Sequence, residues 1–265
     1  MTTTFDMPER RLPVQWLLPC LPPIALLGLW WLVTATAIAD LPSPATVLAL
    51  CGPLFGKAFS VASPSDIGIG WLLCYSLGRV AVGFGCALLV GVPLGLWIGI
   101  SPKASRAFDP SIQLVKSVSP LAWLPIGLAS LHNSELAALF VIFITSLCPI
   151  VLNTALGVHS IPKGYWNLAQ VLDLPKSTVL RQIIIPATLP NLFTGMRISL
   201  GIAWMVIVAA EMLTGAQGIG AFVWNAWNNL DLGLLIVSIL IIGLTGIALD
   251  QLITKLARSM PKETP

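Results

Sequence analysis

Charged side chains are scarce in this chain of 265 residues: 9% are Asp, Glu, Lys or Arg, against 56% hydrophobic. A soluble domain carries about a quarter charged residues, so an ordinary water-facing globular surface is excluded. No polar linker is long enough to separate two domains, which leaves one. The five cysteines, Cys20, Cys51, Cys74, Cys86 and Cys148, are scattered without a CxxC pair. They read as small apolar residues and offer neither a disulfide framework nor a thiolate metal site. Histidine occurs twice, as His132 and His159, in different loops and without a cluster of other ligands. Neither HExxH nor carboxylates paired on adjacent apolar segments is present, which removes the signatures of a membrane-embedded enzyme. Also missing is the phosphate-cradling GxxxxGK followed by Ser or Thr, so the chain has no nucleotide site of that kind. A net charge of +3 gives no ground for a nucleic-acid partner and fits a modest excess of bases in loops on one side of a membrane.

Long apolar runs are what the chain does have. The first, 14–38, follows Arg10 and Arg11, is longer than a signal-peptide core and lacks a cleavage site, so it reads as a retained span. Further spans are predicted at 77–100, 114–131, 136–156, 191–213 and 233–256. Lys103 and Arg106, then Lys163, Lys176 and Arg181, then Lys255, Arg258 and Lys262 mark alternate loops as cytoplasmic. The intervening segments hold almost no bases. One of them, 40–70, has a short interfacial helix predicted at 45–59, and another, 214–232, carries Trp224 and Trp227 as an outer aromatic belt. The expected fold is an all-α integral membrane protein of six transmembrane helices with both termini cytoplasmic. Residues 1–13 and 258–265 are the tails, 14–257 the transmembrane domain, and about 158–189 a cytoplasmic loop. Gly91, Gly95 and Gly99 recur at four-residue spacing, a stripe that lets helix backbones approach closely in lipid. The span at 114–131 contains Pro120 and Pro125 and is expected to be bent and buried, as a kink or as the wall of a pathway.

The stretch 165–190 is too polar and too rich in proline to cross a bilayer. Tyr165, Leu168, Ala169 and Leu172 fall at i, i+3, i+4 and i+7 of a short amphipathic helix, opposite Lys163, Asn167 and Gln170. Pro175 ends that helix or starts a second one, 176–185, which Pro186 is expected to close. On pattern alone this is an interfacial helix pair or a docking surface.

Its spacing resembles the cytoplasmic EAA loop of bacterial ABC importer permeases: Glu-Ala-Ala, three residues, Gly, nine residues, Ile-x-Leu-Pro. Ala169 fits the second Ala, Asp173 stands where Gly belongs, and Ile183 and Pro186 fit the end. Asn167 replaces the Glu and Leu168 the first Ala. Asp tolerates a left-handed backbone better than most residues, so the turn survives the loss of Gly. The likeness extends over about 41–255, through LPSPATVL, SLGRVAVGF, GVPLGLWIG, SPLAWLPIGL and FTGMRISLGIAWMVIVAAEML followed by GIG. Within the type I importers these segments resemble the nitrate, taurine, alkanesulfonate, cyanate and bicarbonate group. AALFVIFITSL-x-PIVLNT and IVAAEMLTG are most similar to the nitrate/nitrite branch.

The resemblance implies a type I permease fold in the bacterial plasma membrane. It also implies a second permease chain forming a homodimer, two cytoplasmic ATPase subunits that hold the ATP and Mg, and a substrate-binding protein outside. This chain would bind no cofactor and catalyse nothing. It would switch access to a small anion, nitrate or nitrite first, with cyanate, bicarbonate or a sulfonate as alternatives. An ion-coupled secondary transporter is a remoter reading, and would show a three-plus-three repeat with broken helices. Coupling would run through Tyr165, Leu168, Ala169, Leu172, Asp173, Pro175 and Pro186. Charges inside spans are costly and face a cavity or a partner, which singles out Arg79, Lys116, Arg197 and Glu211. They are either structural pairs or sources of positive potential for an anion. Arg79 and Glu211 are both placed toward the outer end, where they can pair. Asp250 is expected to pair with a nearby Lys or Arg, and Trp123 and Trp204 either pack or line the pathway.

Overall fold

The computed structural model describes residues 21–36, 41–63 and 66–259. The predicted first span and both tails lie partly outside these residues; its described part, Leu21–Ala35, is a helix, α1. The interfacial helix α2 covers Pro44–Gly56, with Ser43 capping its N-terminus. A two-stranded antiparallel hairpin, β1 (Val61–Ser63) and β2 (Asp66–Ile67), then breaks the all-helical pattern that was expected. The Trp71 indole N–H donates to the Phe59 carbonyl at 3.1 Å and ties this segment to the next helix.

That helix, α3, runs over Ile69–Ile100 and starts well before the predicted 77. Its glycine stripe packs on α6, Ser134–His159. A Cβ on Gly91 would stand 2.9 Å from an Ile150 methyl. One on Gly95 would be 2.6 Å from the Thr154 Cβ, and one on Gly99 2.6 Å from the Val158 Cβ. The backbones are in the close contact that the spacing predicted. Residue numbers rise together along both helices, so α3 and α6 are parallel. The chain between them must therefore run back.

It does so through a bent pair. The span predicted at 114–131 is bent, as its prolines led one to expect, but its helices fall elsewhere than the predicted bounds. Residues 114–117 end an amphipathic helix, α4 (Pro102–Ser117), whose first turns hold Lys103 and Arg106 in place of the expected loop. A 3₁₀ turn at Pro120–Ala122 leads into α5, Trp123–Leu131, at 92° to α4. Pro120 has no N–H to continue α4, and the residue before a proline is pushed out of the α region, which places the break at Val118 and Ser119.

Beyond α6 come α7 (Lys163–Val171) and a long helix, α8 (Lys176–Thr214). Pro186 does not close a second loop helix. The ring would clash with the carbonyl four residues back, and a π turn over Leu180–Ile184 widens the helix there, so it continues into the span. Helix α9, Ile219–Asn228, occupies the predicted outer segment, and α10, Leu232–Ser259, ends the described chain. Ser199 donates to the Ser146 carbonyl while Gly157 lies against Thr188, and Trp204 Nε1 donates to the Ile242 carbonyl while Arg197 meets Asp250, so α8 runs antiparallel to both α6 and α10. Among the described residues, four helices are long and apolar enough to cross a bilayer, five with the bent pair as one span. The main core lies where α3, α6 and α8 meet, around Val80, Ala87, Ile142, Ile150, Ala203 and Ile207.

Candidate functional site

Three features occupy the ends and the middle of this bundle. At the end that carries Lys163 and Arg181, α7 is seated by Trp166, which packs on Val158, Ile161 and Ile184. Ala169 is buried there, on the side of the helix that faces the bundle. Tyr165, Leu168 and Leu172 point away from the bundle. Val171, which the helical stripe left out, is 82% exposed. An apolar residue off the stripe in an otherwise polar loop was the signal for it. The helix ends in a Schellman turn: Leu174 N–H donates to Ala169 O at 3.0 Å and Asp173 N–H to Gln170 O at 3.2 Å. Asp173 has φ of 45°, the left-handed conformation anticipated at the position of the motif's Gly. Pro175 caps the start of α8. Pro186 follows the π turn.

At the opposite end, Arg79 and Glu211 are paired at 2.6 Å, with Glu211 fully buried. Sequence reasoning missed the other members of this network. Glu135, in the first turn of α6, takes Arg79 Nε at 2.6 Å and also its Nη2. The Ser76 hydroxyl lies 2.8 Å from both Glu211 oxygens and accepts from Ile219 N–H at 3.0 Å. Gly220 N–H donates to Glu211 at 3.0 Å, and Arg79 to the Gln217 carbonyl at 2.6 Å. A side chain on Gly218 would collide with the Glu211 carboxylate, so the GIG segment can wrap this acid only without a Cβ there. Ser76 stands one turn before Arg79 on α3, and that spacing was readable. Glu135 was hidden in a polar turn.

The other charged pair is Arg197 with Asp250, bidentate, with one bond of 2.6 Å and both side chains partly exposed. Asp250 thus finds its base across two helices, 53 positions away in sequence. Trp204 is buried and donates to the Ile242 carbonyl. Lys116 and Trp123 stand together in the wall of a cavity of about 370 Å³, between the break in the bent pair, the middle of α6 and Ile198 and Ile202 of α8.

Among the described residues, the bundle combines a sharply bent apolar helix pair, a cavity at that bend and an exposed amphipathic helix in a polar loop. The chain belongs to the family described as the binding-protein-dependent transport system inner membrane component, whose pattern matches residues 91–262. It is 43% identical over 228 residues to a nitrate import permease protein of Synechocystis, covering 86% of this chain and 83% of that one. It is also 40% identical over 238 residues to a bicarbonate transport system permease protein of the same organism, covering 87% and 85%. The fold matches a subunit in an inward-facing MetNI methionine ABC transporter structure with a TM-score of 0.63 at 16% identity, covering 72% of this chain and 97% of that one. The chain is a permease subunit of an ABC importer and works in transport, with no enzymatic role of its own.

Proposed function

We propose that this chain is the permease of a nitrate or nitrite importer in the bacterial plasma membrane, working as a homodimer. Two ATPase subunits, which hold the ATP and Mg, sit beneath it, and a binding protein delivers the anion from outside. Six spans with cytoplasmic termini complete this reading: α1, α3, the bent pair, α6, α8 and α10. The observation that carries the coupling role is the outward apolar group Leu168, Val171 and Leu172 on α7, 52%, 82% and 58% exposed. Such a cluster on a polar loop marks a protein contact. Nucleotide-driven closure of the ATPases would pull on α7. The pull would pass through Trp166 and the π turn into α8, biasing a two-state bundle. The nitrate reading rests on the relatives at 43% identity. Bicarbonate is the second reading, favoured by the relative at 40%.

The test is ATP hydrolysis by the assembled complex in liposomes, with the binding protein and either anion, for wild type and Leu172→Arg. Nitrate-stimulated hydrolysis in wild type, lost or unassembled in the variant, supports both parts. A variant indistinguishable from wild type overturns the docking surface. Stimulation by bicarbonate alone changes the cargo and keeps the machine.

A further inference from the structure

Of the charged residues set within the spans, two bases are already neutralised: Arg79 by Glu135 and Glu211, and Arg197 by Asp250. Lys116 has no ion-pair partner among the described residues. It ends α4 at the break in the bent pair and lines the cavity of about 370 Å³. That space is well above the roughly 30 Å³ that a water occupies, so a small anion enters with part of its hydration shell. Thr145, opposite in the same wall, lies about three turns into α6, roughly 17 Å from the helix start at 1.5 Å per residue. A hydrocarbon layer of about 30 Å therefore puts the cavity near the midplane. Broken backbone at that depth is tolerated where it borders a watery space.

Few polar groups in the wall are free to bind. The Thr145 hydroxyl donates to Val141 O at 2.7 Å. Asn153 spends one amide hydrogen on Pro149 O at 2.8 Å and keeps its second. The remaining wall is Val115, Pro120, Trp123 and apolar positions of α6 and α8. Lys116 is exposed and lines this space together with Asn153, so an anion arriving from water meets an ammonium and one free amide hydrogen against a largely apolar wall.

We propose that Lys116 is the anion-binding residue of this cavity and holds one small monovalent oxyanion in transit, with Asn153 as its second donor. The inference rests on the reading of the chain as an anion importer and assigns the permease its own selectivity, beyond that of the binding protein.

The test uses the complete complex in liposomes with saturating binding protein, measuring uptake of ¹⁵N-nitrate and ¹³C-bicarbonate. Lys116→Gln, assembled into the complex at the wild-type level, is expected to lose tenfold or more of the uptake rate. Lys116→Arg is expected to recover most of that rate with a changed nitrate-to-bicarbonate ratio. Wild-type uptake by the Gln variant, or an Arg variant as inactive as Gln, overturns the assignment. A second measurement needs no variant. Acetylation of Lys116 in the wild-type complex, read by mass spectrometry against Lys103, should slow at least threefold with nitrate or bicarbonate present. If neither anion protects Lys116, the proposal fails, while the coupling reading still stands or falls with Leu172→Arg.

Discussion

Arg79 is the residue on which the end of the bundle opposite α7 depends. It joins α3 to α6 through Glu135, to α8 through Glu211 and to the loop before α9 through the Gln217 carbonyl. Taking Glu211 out of water is costly, and the bonds from Arg79, Ser76 and Gly220 offset that cost. Removing one partner is worse than removing both, because it leaves an uncompensated buried charge. Arg79→Met is therefore expected to destabilise the permease by about 3–5 kcal/mol. It should be visible as a large fall in the thermal midpoint in detergent, whereas Arg79→Met with Glu211→Gln should recover part of the loss. A double variant no better than the single one would mean that Glu211 is not the group left stranded. This pair was legible in the sequence because a charge inside an apolar span needs a partner. Glu135 and the two glycines around Glu211 were not, since nothing local distinguishes a turn acid that faces solvent from one that folds back onto a base.

Among the elements, the glycine stripe of α3 and the amphipathic α7 could be read directly, because each rests on a period that the structure keeps. A bend in the 114–131 span was expected from its prolines, but neither its place at Val118 and Ser119 nor the passage of α8 through Pro186 could be read. Both depend on where neighbouring helices leave room for displaced carbonyls, and a proline count does not contain that information. The turn after α7 belongs to the same scale. Asp173 holds a left-handed conformation that costs an L-residue about 1 kcal/mol, and Gly adopts it freely. Asp173→Gly should stabilise the loop by about that amount and slow proteolysis between α7 and α8, with transport unchanged. Loss of transport would assign the Asp173 carboxylate a contact with the partner. Gly95→Leu, by contrast, would drive a side chain into Thr154 and Val151 and should prevent accumulation of the folded permease.

At the scale of the molecule, the directions of the helices decide the topology. Parallel α3 and α6 require a return crossing between them, and the bent pair supplies it. Antiparallel α8 and α10 then complete an alternating set. The loop with α7 lies at the same end as the start of α4 and the end of α10, an end that holds Lys103, Arg106, Lys163, Lys176, Arg181, Lys255 and Arg258. The opposite end holds Lys57 alone among Lys and Arg of the described loops. By the positive-inside rule, that asymmetry supports the proposal that the basic end faces the cytoplasm. In a variant with the five native cysteines replaced, a single cysteine at Asn228 should react with a membrane-impermeant maleimide added to intact spheroplasts. One at Ser177 should react only after the membrane is opened. Labelling of Ser177 from outside would invert the molecule, turn the apolar face of α7 away from any ATPase and remove the coupling role. The sidedness of that one position therefore constrains the function as tightly as a transport assay does.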